Sequence, residues 1–181
     1  MTRPTPARSL GLLGALLGLT MAACGGAGAD AGLGTSHAAR EAEPVELAVR
    51  TPEGAFIDVG DLRGQPVVLF IFATFDAASQ AATEPLSRFQ RAHAADAHVL
   101  AIAVQPNAAE LVRPWAQALD LTLTVTYEPE PRILLGASAL GSIPAIPTYV
   151  VLDSAGRVVA RYTGFASENK LERLLDAARG R

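Results

Sequence analysis

The chain carries few thiol or imidazole groups: one cysteine, Cys24, and three histidines, His37, His93 and His98, in 181 residues. Thiol–disulfide exchange runs by thiolate attack on sulfur through a mixed disulfide, and a lone thiol cannot close a disulfide within its own chain. With only three histidines and no carboxylate cluster beside them, neither a metal site nor a cofactor is expected. His37 reads as solvated, His93 as a packed or solvated residue at a helix end, and His98 as the opening of a strand. The carboxylate best placed for acid–base work is Asp76, but Glu84, the next on the same predicted helix, lies about 12 Å further along its axis at 1.5 Å per residue. That separation rules out a cooperating pair. Asp76 reads instead as a helix N-cap accepting the amide of Ser79, a position the helix dipole also favours for an anion. Ser79 has no base in sequence reach and reads as a first-turn polar residue.

The lone cysteine is placed by what precedes it. Arg3 and Arg8 form a positive start, Leu10 to Leu19 an apolar stretch, and Met21-Ala22-Ala23 a small-residue approach to Cys24. The apolar run is shorter than the roughly 20 residues a bilayer span requires, so it reads as a cleaved signal. The segment resembles a bacterial lipobox, with Met21 where leucine is preferred. The resemblance implies that Cys24 is acylated and becomes the new N-terminus, anchoring the protein to the membrane. More than one acyl chain makes such anchoring secure, at about 0.8 kcal/mol per buried methylene. Gly25 follows the cysteine where aspartate would mark inner-membrane retention, which favours the outer membrane. From Gly25 to about Pro44 the residues are mostly small, without apolar periodicity, and read as a flexible tether with a reach on the order of 25 Å. The expected organisation is therefore a signal peptide over 1–23, an acylated cysteine and linker over 24–44, and one domain over 45–181.

Half of the residues are hydrophobic, enough for one core, and the net charge of −3 is spread along the chain. No Lys/Arg cluster offers the footprint that nucleic acid needs, so that partner class is excluded. Past Pro44, strand and helix signals alternate. Val45, Leu47 and Val49 alternate with polar or small residues as a strand, Phe56 to Val59 forms a second, and Val67 to Phe72 reads as a central strand buried on both faces. Ala82, Leu86, Phe89 and His93 make one helical stripe. Val99 to Val104 is a buried strand, and a helix over Ala108 to Leu119 carries Leu111, Val112, Trp115 and Leu119. Pro114 is expected to kink that helix or restart it. Thr122 to Tyr127 reads as a strand and Ile133 to Leu140 as a short helix. Tyr149 to Leu152 and Val158 to Tyr162 read as a hairpin, and Ser167 as the cap of a last helix with Leu171, Leu174, Leu175 and Ala178 inward.

The order of these elements and three fragments resemble the thioredoxin superfamily, specifically the TlpA/ResA-like envelope proteins, over about residues 45 to 178. The fragments are Asp61-Leu62-Arg63-Gly64-Gln65-Pro66-Val67-Val68-Leu69, Phe72-Ala73-Thr74-Phe75, and Ile146-Pro147-Thr148-Tyr149-Val150-Val151-Leu152-Asp153. The resemblance implies an α/β thioredoxin-like fold, a single domain with a mixed central sheet flanked by helices, and makes Pro147 the candidate cis-proline. Where the family carries Trp-Cys-x-x-Cys, this chain has Phe75-Asp76-Ala77-Ala78-Ser79. A register slipped by one, suggested by Pro85, would put the cysteine positions at Ala77 and Gln80. Both registers lack sulfur, and a peroxiredoxin-like reading fails for the same reason. Neither carboxylate nor hydroxyl can replace a thiolate in disulfide exchange.

In relatives an extended segment pairs with backbone just before the cis-proline, a mode that needs no cysteine. By resemblance Phe75, Asp76, Ile146 and Pro147 would line that groove; the plainer alternative is that Phe75 and Ile146 only cover the core. The leading expectation is a redox-inactive, membrane-anchored lipoprotein facing the periplasm that binds an envelope protein or peptide. A thiol–disulfide oxidoreductase by descent and a passive envelope spacer are the competing readings.

Overall fold

The computed structural model describes residues 43–180; the predicted signal peptide, Cys24, His37 and nearly all of the predicted linker lie outside them. The elements run β1 (Ala48–Arg50), β2 (Phe56–Asp58), a 3-10 turn (Val59–Leu62), β3 (Val67–Phe72), α1 (Ala77–Ala92), β4 (His98–Ala103), α2 (Ala108–Ala118), β5 (Thr124–Tyr127), β6 (Thr148–Leu152), β7 (Val158–Thr163) and α3 (Glu168–Ala178). They build one sheet of seven strands in the order β2-β1-β5-β4-β3-β6-β7. β3, β4 and β5 are parallel, joined by crossovers that contain α1 and α2, whereas β6 and β7 are antiparallel neighbours joined by a tight turn. Parallel strands need such crossovers and hairpins do not.

The two-residue period of the strands sorts their side chains into two cores. Val68, Phe70 and Phe72 of β3, Val99, Ala101 and Ala103 of β4, and Tyr149 and Val151 of β6 face one way, and meet Ala82, Leu86 and Phe89 of α1, Val112 of α2, and Leu171, Leu174 and Leu175 of α3. All three helices thus share one face of the sheet. Val67, Leu69, Ile71, Leu100, Ile102, Val150 and Leu152 face the other way. They are covered by Val45, Leu47, Val49 and Val59 from the start of the domain and by Ile133, Leu140 and Ile143. β3, buried throughout, is the central strand the uninterrupted apolar run predicts.

Several local expectations are corrected. Ile133 to Leu140 forms turns, not a helix: Gly136 and Gly141 sit at φ +67° and +66°, where a glycine costs nothing and a helix cannot continue. The strand expected over Phe56 to Val59 stops at Asp58, whose carboxylate accepts the Gly60 amide at 2.8 Å and starts the 3-10 turn. Leu111 and Leu119 of the second helical pattern are exposed, because only Ala108 and Val112 of α2 reach the sheet fully. Pro114 lies inside α2 without ending it. Trp115 is half-buried and stacks on Phe72, with centroids 4.7 Å apart. Ser167 holds the N-cap position of α3 but its hydroxyl makes no capping bond. His93 caps the C-terminus of α1, its ring 4.6 Å from Phe89 and its Nε2 2.9 Å from Glu172, a packed residue joining α1 to α3.

Candidate functional site

Three chain segments meet at one end of the sheet. The registers Ile71 opposite Thr148 and Thr148 opposite Thr163 bring together the segment leaving β3, the segment entering β6 and the segment leaving β7. The Gly164 amide donates to the Pro147 carbonyl at 2.7 Å, fastening the last two.

The segment leaving β3 is tied down at Thr74. The amide of Thr74 donates to the side-chain carbonyl of Gln105, whose amide group donates back to the Thr74 hydroxyl at 2.8 Å. The Thr74 carbonyl accepts from Gln80 at 2.9 Å. With its backbone and side chain thus held, Thr74 fixes the direction in which the next two residues leave the sheet. Phe75 projects outward, 74% exposed. Asp76 then caps α1: its backbone is extended at φ −88° and ψ 121°, and its carboxylate accepts the Ser79 amide at 2.6 Å. The predicted cap is therefore present. Ser79 itself is fully buried in the first turn, and among the described residues its hydroxyl has no hydrogen-bond partner. Ala77 and Gln80, the pair of the slipped register, are exposed, and Ala78 is half-buried.

The segment entering β6 holds a cis peptide bond between Ile146 and Pro147. Thr148 fixes it from below: its hydroxyl donates to the Ala145 carbonyl at 2.7 Å and lies 2.9 Å from the Thr163 hydroxyl. Pro147 is buried and Ile146 half-buried. Among the described residues neither the amide nor the carbonyl of Ile146 has a hydrogen-bond partner. Beyond β7, Phe165 is 49% exposed. Phe75 does not cover the core, so one half of the plainer alternative fails; Ile146 does pack against the second core.

The arrangement has no acid–base pair. Glu84 is engaged with Arg88 at 2.5 Å, and Arg88 also with Glu168 at 2.9 Å, so the carboxylate nearest to Asp76 along the helix is committed to an exposed ion-pair cluster. Among the described residues no group of three His, Cys, Asp or Glu side chains is placed to hold a metal. An open cavity of about 380 Å³ lies between the start of α2 and the end of β5, with Gln105, Glu110, Tyr127, Glu128 and Leu134 in its wall. Burial pushes the Glu128 carboxyl above its ordinary range, opposed by the Ile133 amide that donates to it at 2.9 Å. Gln105 and Phe165 are absent from the sequence reading, because their roles come from contacts between segments far apart in the chain; Gln80 enters it only as a slipped-register position, without its bond to the Thr74 carbonyl.

No protein-family model matches the sequence, and no curated protein is found by sequence similarity. Solved structures do match. A thioredoxin-family thiol:disulfide interchange protein from Chlorobium tepidum TLS superposes with a TM-score of 0.64 at 21% identity, over 75% of this chain and 94% of its own. A DsbF homologue from Corynebacterium diphtheriae gives 0.66 at 19% identity, over 75% and 85%. The pneumococcal exposed lipoprotein thioredoxin Etrx1 from Streptococcus pneumoniae strain TIGR4 gives 0.64 at 18% identity, over 72% and 98%. The described part of the chain is a single thioredoxin-like domain.

Proposed function

We propose that the protein is a thioredoxin-like binding module of the bacterial envelope, anchored through acylated Cys24, that receives an extended protein or peptide segment and carries out no thiol–disulfide exchange. The observation that carries this reading is the start of α1. Where exchange would need two sulfurs, the chain has a carboxylate spent on capping the helix and a buried hydroxyl. The amide and carbonyl of Ile146, without partners among the described residues, and the exposed Phe75 and Phe165 on the two flanking segments support a groove that pairs through backbone, as strand-addition sites do. The leader and the neighbours support a place outside the cytoplasm, since one neighbour is described as an exposed lipoprotein and another, from Corynebacterium glutamicum, as secreted.

The competing reading as a thiol–disulfide oxidoreductase draws on the neighbours' described activity, interchange or isomerisation of disulfides. It requires a thiolate that residues 25–181 do not contain. The binding reading is tested by placing a photo-crosslinking amino acid at position 75 or 146 in intact cells, with position 111 on the far helix as control. Adducts to a defined envelope protein are expected from 75 and 146 and not from 111. Absence of adducts at both groove positions would leave the passive spacer as the better account.

A further inference from the structure

The groove segments differ in charge from the rest of the surface. Residues 73–79, 143–148 and 163–167 contain one ionisable side chain, Asp76. One oxygen of its carboxylate takes the Ser79 amide, which leaves the other without a partner among the described residues. No Lys, Arg or His of the described residues pairs with Asp76. The basic groups of the neighbouring elements are engaged elsewhere. Arg88 lies between Glu84 and Glu168, Arg161 reaches the Leu140 carbonyl, and Lys170 lies over the Tyr162 ring at 4.5 Å. Exposed Phe75 directly precedes this isolated negative charge, and exposed Phe165 follows β7, a strand that lies two strand spacings, about 10 Å, from β3 in the sheet. The segment carrying Ile146 and Pro147 runs between them.

Resting on the groove reading above, we infer that Asp76 sets its specificity, and that the occupant is an extended peptide segment carrying a lysine or arginine flanked by apolar residues. The backbone of such a segment would pair with Ile146, its apolar side chains would cover Phe75 and Phe165, and its cation would meet the open oxygen of Asp76. An acidic residue at the same place would face an uncompensated carboxylate. The role is one of selection: an exposed charge pair adds modest affinity and discriminates by repelling the wrong partner.

The test uses the full chain in detergent micelles and three fluorescein-labelled peptides, Ala-Val-Val-X-Val-Val-Ala with X as Arg, Gln or Glu; the valines favour extended backbone. Fluorescence anisotropy is expected to rank them Arg, Gln, Glu, each step about 2- to 5-fold in Kd, the size expected of a partly exposed pair. The ranking should shrink as salt rises from 20 to 300 mM (about a threefold to fourfold shorter screening length). Asp76→Asn keeps a good helix cap, so it folds and should bind all three peptides alike. Equal binding of the three peptides by the unaltered protein, or a ranking that survives in Asp76→Asn, would overturn the assignment of Asp76 and leave the groove standing. Failure of all three peptides to bind would overturn the groove reading and this inference with it.

Discussion

A protein with cysteine at both 76 and 79 is expected to form an intramolecular disulfide and to reduce insulin in the presence of dithiothreitol, an activity the parent chain is expected to lack. The geometry favours the pair. Position 76 is the N-cap of α1 with extended backbone, and its side chain already reaches back to the backbone of residue 79, where the carboxylate accepts an amide at 2.6 Å. A sulfur at 76 would sit at the positive end of a sixteen-residue helix, which lowers thiol pKa and raises the thiolate fraction. A sulfur at 79 would replace a buried hydroxyl that has no partner among the described residues, removing an unsatisfied polar atom as it adds volume. Losing the Asp76 cap should cost about 1 kcal/mol, against the 5–15 kcal/mol by which domains are typically stable. The corresponding pair at 77 and 80 starts from two exposed positions and should gain little. If neither double variant gains activity while both give the circular dichroism of the parent, the end of the sheet has diverged in shape as well as in residue type. The groove would then have to be abandoned as the binding surface.

Cys24→Ser is expected to move the protein almost entirely from the membrane fraction to the soluble fraction, provided the signal is still removed. Among the described residues no helix is long and apolar enough to cross a membrane; on the proposed reading the acyl chains on Cys24 are the anchor. Fractionation after a high-salt, detergent-free wash checks this. A cleaved variant that stays with the membrane would contradict the lipoprotein assignment, while leaving the fold and the groove untouched.

Much of the fold was legible because burial on both faces leaves a plain mark. Val67 to Phe72, Val99 to Val104 and Tyr149 to Leu152 are runs of apolar residues too short for helices, and they form the three adjacent central strands β3, β4 and β6. The Ala82, Leu86 and Phe89 stripe likewise fixed the inward face of α1. Ile133 and Leu140 misled for a physical reason. Both are buried, at a spacing a helix would also give, but glycine at 136 lets the chain turn between them and bury the same two side chains without helical bonds.

At the site, the Asp76 cap was legible because an acidic residue directly before a helical stripe, with a donor amide three residues on, is a local pattern. The clamp from Gln105 to Thr74 was not, since it joins the ends of two parallel strands and depends on their register. Phe165 joins the site through the pairing of Thr163 with Thr148 and the bond from Gly164 to Pro147, which lie beyond the stretch the hairpin pattern marks. The residue pattern supplied what lies next to each motif along the chain; the pairing of β3, β6 and β7 supplied what lies across from it.

The most direct test of the central claim, that this thioredoxin-like domain works without thiol–disulfide chemistry, is insulin reduction by the unaltered full-length chain, followed as turbidity in dithiothreitol. The expected rate equals that of dithiothreitol alone, with no mixed disulfide trapped at any protein concentration. Turnover above that background, persisting in Cys24→Ser, would contradict it.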